Sequence, residues 1–259
     1  MANGITGKTA IVTGASRGIG AATCKMLARE GAKRIVVHYH SYREGAEALA
    51  KELESMGAEV VLIGADLGTQ EGIAGFILAL HEKAPGAQIL INNAGHLVKR
   101  AKMPEFTSDL WDEVMNLNAK SVYFISQAVA PAMAAAGGGA IINLSSIAAR
   151  NGGGPGATIY AASKAAVACM TKGMAKEPAP QGIRVNAVSS GTADNYFREK
   201  YSSRQLLDGV IAQTSAGKLG TNEEITDCIP FCYPMARGTS WSKPLKSIAE
   251  CKWSKAIAA

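Results

Sequence analysis

Short apolar runs alternate with helical stretches along most of the chain, and this alternation limits the possible folds more than any other feature. Six such runs, at residues 9–13, 35–39, 59–63, 88–91, 140–144 and 182–188, are each long enough for one buried strand. No internal repeat or linker interrupts the pattern. Strands buried on both faces and joined through helices are typical of a parallel sheet covered on both sides. The sequence therefore predicts an α/β fold, with one domain over residues 1–259 and a doubly wound, mostly parallel sheet.

The first predicted strand leads directly into a glycine-rich loop, GASRGIG at residues 14–20, and then into a helix from residue 21 to about 30. This order places backbone N–H groups and a helix N-terminus against a pyrophosphate. Glycines permit the tight turn and the close backbone approach that such binding needs. The arrangement indicates a Rossmann-type dinucleotide site, and its expected cofactor-binding residues are Gly14, Ser16, Arg17, Gly18, Ile19 and Gly20.

The end of the second predicted strand bears on the choice of cofactor. In a dinucleotide-binding fold this position faces the adenosine ribose, where an acidic residue would bind the 2′-hydroxyl group. Tyr39 and Ser41 stand there instead of an acid, and Arg17 lies in the glycine loop nearby. These side chains can donate hydrogen bonds to a 2′-phosphate, so the sequence favours NADP(H) over NAD(H). For His38 and His40 we prefer ordinary packing at the strand end to a catalytic role.

Small or polar residues also follow the later predicted strands at their carboxyl ends, where open α/β sheets bind ligands. Asp66 and Leu67 are placed to contact the adenine, although Asp66 could equally cap a helix. The fourth strand ends in NNAG at residues 92–95, and the fifth ends in two serines, 145 and 146. Small and amide residues let the backbone lie against a flat ligand, so we expect cofactor contacts from Asn93, Ala94 and Gly95.

Tyr160 and Lys164 lie four residues apart in an alanine-rich stretch that favours a helix to about residue 177. Positions i and i+4 share one face of a helix, so both side chains can point to one site. A free tyrosine has a pKa near ~10, and a nearby cation favours the phenolate. The pair is therefore a plausible proton donor and acceptor for a carbonyl or an alcohol. Taken alone, the same spacing is more often a solvated helix face.

Composition and charge argue against several other classes of function. The net charge is +6, and the chain from residue 237 onward contributes +4 of it through five basic residues and one glutamate. The rest is close to neutral and has no basic stripe, so we expect no nucleic-acid partner. The five scattered cysteines suit neither a disulfide framework nor a metal site. No apolar run reaches the roughly 18 residues of a membrane span, and no secretory signal is visible. We expect a cytoplasmic protein with no metal and no membrane partner.

With these motifs in order, the chain resembles the short-chain dehydrogenase/reductase family over residues 8–231, and in particular its NADP(H)-preferring carbonyl reductases and 3-oxoacyl-acyl-carrier-protein reductases. Residues 13–20 resemble the family's cofactor loop, residues 92–95 its Asn-Asn-Ala-Gly motif, and Tyr160 with Lys164 its Tyr-x-x-x-Lys pair. The family's serine lies thirteen or fourteen residues before that tyrosine. Ser146 lies fourteen before it, and Ser145, at fifteen, is the alternative.

The resemblance implies an NADP(H)-dependent oxidoreductase that interconverts a small-molecule carbonyl and a secondary alcohol. Tyr160 would deliver a proton to the alkoxide that forms when the carbonyl accepts a hydride. Ser146 would stabilise the developing charge on the substrate oxygen. Lys164 would lower the pKa of Tyr160 and hold the nicotinamide ribose, and Asn118, which falls on the family's asparagine in a helix kink, would position a relay water. The family also implies cofactor contacts from Tyr160, Lys164 and Gly191, and a homotetramer or homodimer.

Two segments depart from the family pattern. The loop at residues 190–195 lacks the family's proline and threonine, although Asn195 could still hydrogen-bond an amide. The tail, residues 235–259, lacks the family's last strand, which in relatives completes the sheet edge and a subunit contact. The alternative function is therefore a catalytically weak dinucleotide-binding protein with a degraded lid and tail, and with weakened oligomers.

The substrate lid is expected at residues 192–219. It contains Tyr196, Phe197 and Tyr201, which indicate either a partly apolar substrate or simple packing of the lid helix. The sequence does not choose between these, and a fold alone does not identify a substrate.

Overall fold

The computed structural model describes residues 4–196, 201–214 and 216–232, and within them lies one sheet of six parallel strands. Its spatial order is β3-β2-β1-β4-β5-β6. All six predicted strands are present, each within two residues of its predicted bounds. The doubly wound α/β fold class is thereby confirmed. The strands are β1 (Thr9–Val12), β2 (Arg34–Tyr39), β3 (Glu59–Gly64), β4 (Ile89–Asn92), β5 (Gly139–Ser146) and β6 (Ile183–Ser190).

The strand order reverses at β1, which pairs with β2 on one side and with β4 on the other. Connections therefore run outward from β1 in opposite directions and leave a crevice between the two halves of the sheet. Val12 lies opposite Val37 of β2 and Ile91 of β4, so these strands end at a similar level. Open α/β sheets bind their ligands at such a switch point, beyond the carboxyl ends of the strands.

Helices cover both faces of this sheet. They are α1 (Gly18–Arg29), α2 (Arg43–Ser55), α3 (Gln70–Lys83), α4 (Ser108–Met115), α5 (Ser121–Ala135), α6 (Ala148–Asn151), α7 (Thr158–Met174), α8 (Arg204–Gln213) and α9 (Asn222–Thr226). Short 3₁₀ turns occur at Met103–Glu105, Ala179–Gln181 and Pro230–Cys232. Among the described residues, no helix is both long enough and apolar enough to cross a bilayer.

Alternate strand residues contribute to two separate hydrophobic cores. Val12 packs in the core shared with α1 and α2, whereas its neighbour Ile11 packs in the core shared with α3 and α5. The same alternation occurs in β2, where Val37 and Val36 point to opposite cores. Each buried aliphatic side chain of this size contributes roughly 1.5–3 kcal/mol relative to exposure. Burial on both faces explains why the strands are apolar without a polar alternation.

The helical region over residues 108–135 is divided by a π turn at Asn116–Lys120, which joins α4 to α5. The side chain of Asn118 explains the interruption. Its Nδ2 donates to the carbonyl of Val114, four residues earlier, at 2.9 Å. A side-chain donor at that carbonyl takes the place of the usual backbone N–H group, and such insertions open the helical ladder.

The last helix among the described residues, α9, ends early at Thr226, and the 3₁₀ turn Pro230–Cys232 follows it. Proline lacks the backbone N–H group that a continuing helix requires, which accounts for the early end. The predicted tail, residues 235–259, and Phe197 of the predicted lid lie outside the described residues.

Candidate active site

A cleft of about 340 Å³ lies at the carboxyl ends of the strands, over the switch point between β1 and β4. It brings together most of the residues that the sequence singled out. Gly20, Tyr39 and Asn118 do not line it. The predicted residues that do line it are Gly14, Ser16, Arg17, Gly18, Ile19, Ser41, Asp66, Leu67, Asn93, Ala94, Gly95, Ser146, Tyr160, Lys164 and Gly191.

The N-terminus of α1 faces this cleft without a side-chain cap. Its N-cap residue is Arg17, and its first turn contains no acidic residue. The helices α3, α4, α8 and α9 are different, because a serine or threonine hydroxyl accepts a backbone N–H at the start of each. An uncapped helix start keeps N–H groups and the positive end of the helix dipole available to an anion. The start of α1 therefore suits a phosphate group.

The glycine loop is joined tightly to the segment after β4. Asn93 Nδ2 donates to the carbonyls of Thr13 at 2.9 Å and Gly14 at 2.8 Å. The backbone N–H groups of Asn93 and Ala94 donate to Thr13 Oγ1 at 3.0 and 2.9 Å. A side chain on Gly14 would place its Cβ 2.8 Å from Ala94 Cα, and Gly14 also has φ +62°. Only glycine satisfies both conditions.

Gly20 serves this packing rather than the cleft surface. A Cβ atom at this position would overlap the Gly14 carbonyl and lie 2.6 Å from Asn93 Nδ2. Tyr39 is also turned away from the cleft, because its ring lies against Gly64 at the end of β3. Both residues were predicted to contact the cofactor, and the structure places them outside the lining of the cleft.

His38 lies beneath the glycine loop and is 2 % exposed. The Gly14 N–H group donates to its Nδ1 at 2.9 Å, so the neutral ring carries its hydrogen on Nε2. That Nε2–H donates to the Ala65 carbonyl at 3.1 Å, and the ring contacts Phe76 edge-on. Burial lowers the pKa of His38 to about 4, which keeps the imidazole neutral. The residue holds β1, β2 and β3 together at the loop.

The adenosine end of the cleft is polar. Ser41 and His40 line it and are both exposed, and His40 Nε2 lies 3.8 Å from Asp66 Oδ2. Gly68 N–H donates to Asp66 Oδ1 at 2.9 Å, so Asp66 also shapes the turn before α3. The N-cap of α3 is Thr69, not Asp66. Asp66 remains on the cleft wall, where adenine contact was predicted.

The opposite end of the cleft brings Tyr160 and Lys164 together on α7. The ammonium nitrogen of Lys164 lies 6.0 Å from the centre of the Tyr160 ring. Lys164 is 3 % exposed, and its Nζ donates to the Leu144 carbonyl at 2.8 Å. Burial lowers the pKa of Lys164 to about 8. Tyr160 is half-buried and lines the cleft, so its phenol is within reach of a ligand there.

The two candidate serines at the end of β5 differ in their hydrogen bonds. Ser145 Oγ donates to the Lys164 carbonyl at 2.9 Å, which ties β5 to α7. Ser146 Oγ instead accepts from the Ala148 N–H at 3.2 Å. Because Ser146 accepts in this contact, its own hydrogen can be donated to a ligand oxygen. Both serines line the cleft, and this difference favours Ser146 for contact with a substrate.

Asn118 lies directly behind the cleft wall and is fully buried. Its Nδ2 donates to the carbonyls of Val114 and His96, at 2.9 and 3.0 Å. Its Oδ1 is buried and accepts no hydrogen bond from the described residues. A Cβ atom on Gly95 would lie 2.6 Å from this oxygen and 2.8 Å from Lys164 Nζ, so Gly95 keeps both atoms close to the cleft. An unsatisfied buried oxygen is uncommon and calls for a functional explanation.

The wall beyond Gly95 is built around an unusual backbone conformation. Val98 has φ +61°, a region that β-branched residues rarely adopt. Its N–H donates to His96 Nδ1 at 2.8 Å, and its carbonyl accepts from the Tyr201 hydroxyl at 3.2 Å. Arg100 joins the same region, with Nε donating to the Tyr201 carbonyl and Nη1 to the Pro155 carbonyl, each at 2.6 Å.

Several cleft residues were not selected from the sequence. Tyr42 directly follows Ser41, so extending that motif by one residue would have found it. His96 begins residues 96–106, a segment from which the sequence predicts substrate specificity. Glu113 on α4 and Leu117 in the π turn after it carried no such signal, because a sequence does not show which side of a helical segment faces a cleft. The cleft also contains Ser145, Asn195, Tyr196 and Tyr201, which the sequence offered as the alternative serine, an amide contact and lid residues. Further cleft residues without a predicted site role are His38, His40, Gly68, Leu144, Ser190 and Ala193.

The fold and the cleft together define a doubly wound α/β protein whose ligand site lies where such folds bind nucleotides. The model of the short chain dehydrogenase family matches residues 8–205. The chain therefore belongs to the short-chain dehydrogenase family of oxidoreductases, as its motifs predicted.

Individual relatives are similar over most of the chain. The 3-oxoacyl-[acyl-carrier-protein] reductase FabG of Thermotoga maritima is 34% identical over 227 residues, which cover 88% of this chain and 90% of FabG. Gluconate 5-dehydrogenase of Gluconobacter oxydans is 34% identical over 232 residues, with 88% of each chain covered. A crystal structure of a blue fluorescent protein from a metagenomic library, in complex with NADPH, has a TM-score of 0.85 at 30% identity and covers 98% of this chain and 99% of that one.

Proposed function

We propose that this protein is an NADP(H)-dependent oxidoreductase that interconverts a small-molecule carbonyl and a secondary alcohol. The observation that carries the proposal is the grouping of Tyr160, Ser146 and Lys164 at one end of a cleft whose other end is formed by the glycine loop. A hydroxyl donor, a phenol and a buried cation are the groups that a carbonyl needs when it becomes an alcohol. Family membership supports the reaction type.

The residues at the adenosine end fit NADP(H). The uncapped start of α1 suits the pyrophosphate, and Arg17, His40 and Ser41 line the region where a 2′-phosphate would lie. A dianionic phosphate gains charge-assisted hydrogen bonds from a guanidinium, whereas a ribose hydroxyl does not. The solved relative in complex with NADPH supports the same choice. When bound, the cofactor supplies the hydride.

The side chains at the other end would handle the substrate oxygen and its proton. Ser146 would donate a hydrogen bond to the oxygen, and Tyr160 would give it a proton in reduction and take one back in oxidation. Lys164, as a cation, would favour the phenolate between these steps. The buried Oδ1 of Asn118, beside Gly95 and close to Lys164 Nζ, would accept the hydrogen bond of a proton relay.

The proposed substrate class is a small-molecule carbonyl or alcohol. Tyr196 and Tyr201 both line the cleft and also both pack against protein groups, Arg17 and His96 respectively. Both tyrosines are therefore placed to contact a partly apolar substrate and also contribute to the packing of the protein. The relatives named FabG and gluconate 5-dehydrogenase support a test panel that contains 3-oxoacyl thioesters and keto-sugar acids.

We also propose that the protein acts in the cytoplasm as a homodimer or homotetramer. Trp111, Tyr123 and Phe124 on α4 and α5 are 46%, 37% and 40% exposed, and a group of large exposed side chains supports a subunit contact. Native mass measurement tests this, and a monomer at micromolar concentration would contradict it.

Turnover on a carbonyl panel, with NADPH and NADH, tests the proposed reaction. Tyr160→Phe removes the proton donor and keeps the ring, so we expect kcat to fall by roughly 10²–10⁴-fold while NADPH still binds. Tyr123→Phe is the matched control, since it deletes a hydroxyl on the exposed side of α5. Tight NADPH binding without turnover on any substrate would favour the alternative, a catalytically weak dinucleotide-binding protein. Binding of neither cofactor would overturn the proposal.

A further inference from the structure

The Arg17 guanidinium contacts two tyrosine rings in the wall of the cleft. Its Cζ lies 4.1 Å from the ring centre of Tyr42 and 4.1 Å from the ring centre of Tyr196. Tyr42 precedes α2, Arg17 precedes α1 and Tyr196 follows β6, so the stack joins three segments that are distant in sequence. We propose that Tyr42 and Tyr196 are positioning residues that fix the plane of the Arg17 guanidinium and thereby set the preference for NADPH over NADH. This inference rests on the proposed function.

The position of Tyr42 depends on a glycine inside α2. Gly45 is the third residue of that helix, where glycine is less favourable than alanine by roughly 0.5–1 kcal/mol. A Cβ atom there would overlap the Tyr42 ring and lie 2.7 Å from the Ser16 carbonyl oxygen. The missing side chain therefore lets the ring lie flat against the start of α2, next to the glycine loop.

The position of Tyr196 is fixed by the segment before it. Asp194 N–H donates to the Gly220 carbonyl at 2.8 Å, and Gly220 N–H donates to the Thr192 carbonyl at 3.0 Å. Asn195 Nδ2 then donates to Asn222 Oδ1 at 3.1 Å. This segment is thus held to the start of α9 as far as the residue that precedes Tyr196. The second ring is presented to Arg17 from an anchored backbone.

The stack suits the recognition of a phosphate because of the shape of the guanidinium. Its two flat faces bind aromatic rings, whereas all of its N–H donors point outward in the plane. With both rings against the guanidinium, its outward edge is left to meet a ligand, and this edge has the geometry of a two-point hydrogen bond to a phosphate. Ordering the side chain before binding also removes the entropy that a free arginine would lose on contact. A ribose hydroxyl gains little from either effect.

The decisive comparison is between Tyr196→Leu and Tyr196→Phe, with dissociation constants for NADPH and NADH measured by fluorescence titration. The leucine variant removes the ring, and the phenylalanine variant keeps it. We expect Tyr196→Leu to raise the NADPH dissociation constant about fivefold, the factor that corresponds to about 1 kcal/mol, and the NADH constant less than twofold. Tyr196→Phe should leave both constants within about twofold.

A second pair of variants approaches the stack from α2. Tyr42→Leu removes the ring and leaves Gly45 unchanged, because a Cβ atom at position 45 would also crowd the Ser16 carbonyl of the glycine loop. We expect a loss of NADPH selectivity of a few-fold, with the fold retained, and Tyr42→Phe should leave selectivity unchanged. A merely structural role for the ring would not change the ratio of the two dissociation constants.

The outcomes separate the inference from the proposed function. If wild-type protein binds NADPH and Tyr196→Leu binds it equally well, the inference is wrong and the proposed function stands. An equal weakening toward NADPH and NADH, or an equal loss in Tyr196→Phe and Tyr196→Leu, also overturns it, because selectivity would then not depend on the ring. Wild-type protein that binds neither cofactor overturns both.

Discussion

The cleft has an adenosine half, around the glycine loop, and a reaction half, around Tyr160 and Lys164. Each half places a buried nitrogen group behind a glycine, but the two halves differ in how completely the surrounding polar atoms are hydrogen-bonded. In the adenosine half, both ring nitrogens of His38 are used, by the Gly14 N–H and the Ala65 carbonyl. In the reaction half, Lys164 Nζ donates to a carbonyl, while Asn118 Oδ1 accepts no hydrogen bond from the described residues. Burial lowers the pKa of both nitrogen groups, to about 4 and about 8.

This difference separates a polar group that holds the fold from one that is available for chemistry. A buried imidazole with both nitrogens paired stabilises one conformation of the glycine loop and stays neutral at ordinary pH. A buried ammonium near an unpaired oxygen keeps a titratable charge and an acceptor next to the ligand site. The same burial therefore supports rigidity on one side of the switch point and suits the proposed proton transfer on the other.

The largest expected effect comes from removing the paired imidazole. His38→Leu keeps the volume roughly constant but leaves the Gly14 N–H and the Ala65 carbonyl without partners in a buried place. Unpaired groups of this kind cost about 1–3 kcal/mol each, so we expect the free energy of unfolding to fall by about 2–6 kcal/mol. Urea denaturation measures the change, and weaker NADPH binding should accompany it.

His81→Leu is the matched control for that variant. His81 is exposed on α3, and its Nε2 lies 3.4 Å from the Ala128 carbonyl, at the edge of hydrogen-bonding distance. We expect this change to stay within about 0.5 kcal/mol. Equal losses in the two histidine variants would show that the contacts of His38 do not support the glycine loop.

The next effect should appear at the serine pair of β5. Ser146→Ala removes the donor proposed for the substrate oxygen, so we expect kcat/KM for reduction to fall roughly 100-fold. Ser145→Ala instead removes the bond to the Lys164 carbonyl, so we expect a loss of about 1 kcal/mol in stability and a smaller effect on turnover. Steady-state kinetics on both variants shows which serine contacts the substrate oxygen. A larger loss of kcat/KM in Ser145→Ala than in Ser146→Ala would assign that contact to Ser145.

The reasons why the sequence predicted one half better than the other are physical. The glycine loop and the NNAG segment act largely through their backbone, whose course follows from glycines and strand ends, so Gly14, Asn93 and Gly95 could be placed from local pattern. The role of His38 could not, because its partners come from residues 24 positions before and 27 positions after it. A local pattern does not contain such contacts.

The reaction half shows the same limit at two positions. The sequence offered Ser145 and Ser146 with nearly equal spacing to Tyr160, and only their hydrogen bonds distinguish them. Asn118 came from the family resemblance, and the residue was otherwise indistinguishable from a surface asparagine. Its burial depends on how the π turn packs behind Gly95, which composition does not reveal.

The pH dependence of stability tests the adenosine half without a substitution. The folded pKa of His38, about 4, lies below the ordinary value of 6.5, so the unfolded chain binds more protons between these values. Stability from this group is therefore fully present above about pH 6.5 and is lost as the pH falls toward 4. We expect a loss of roughly 2 kcal/mol between pH 7 and 5, measured by urea denaturation. His38→Asn should flatten this part of the profile, and an unchanged slope would assign it to other groups.

The smallest expected effect concerns Lys164 and the reaction half. Its pKa of about 8, below the ordinary 10.5, means that the ammonium loses its proton as the pH rises through about 8. If the cation supports the phenolate of Tyr160, kcat/KM for reduction should fall about tenfold between pH 7 and 9. Lys120→Met changes a lysine whose Nζ donates to Gln70 Oε1, and this variant should keep the fall in kcat/KM between pH 7 and 9. Lys164→Met should lose that fall together with most of the activity. If kcat/KM of the wild-type protein stays constant up to pH 9.5, the charge of Lys164 does not control the proton transfer. Lys164 and His38 would then differ only in how they pack.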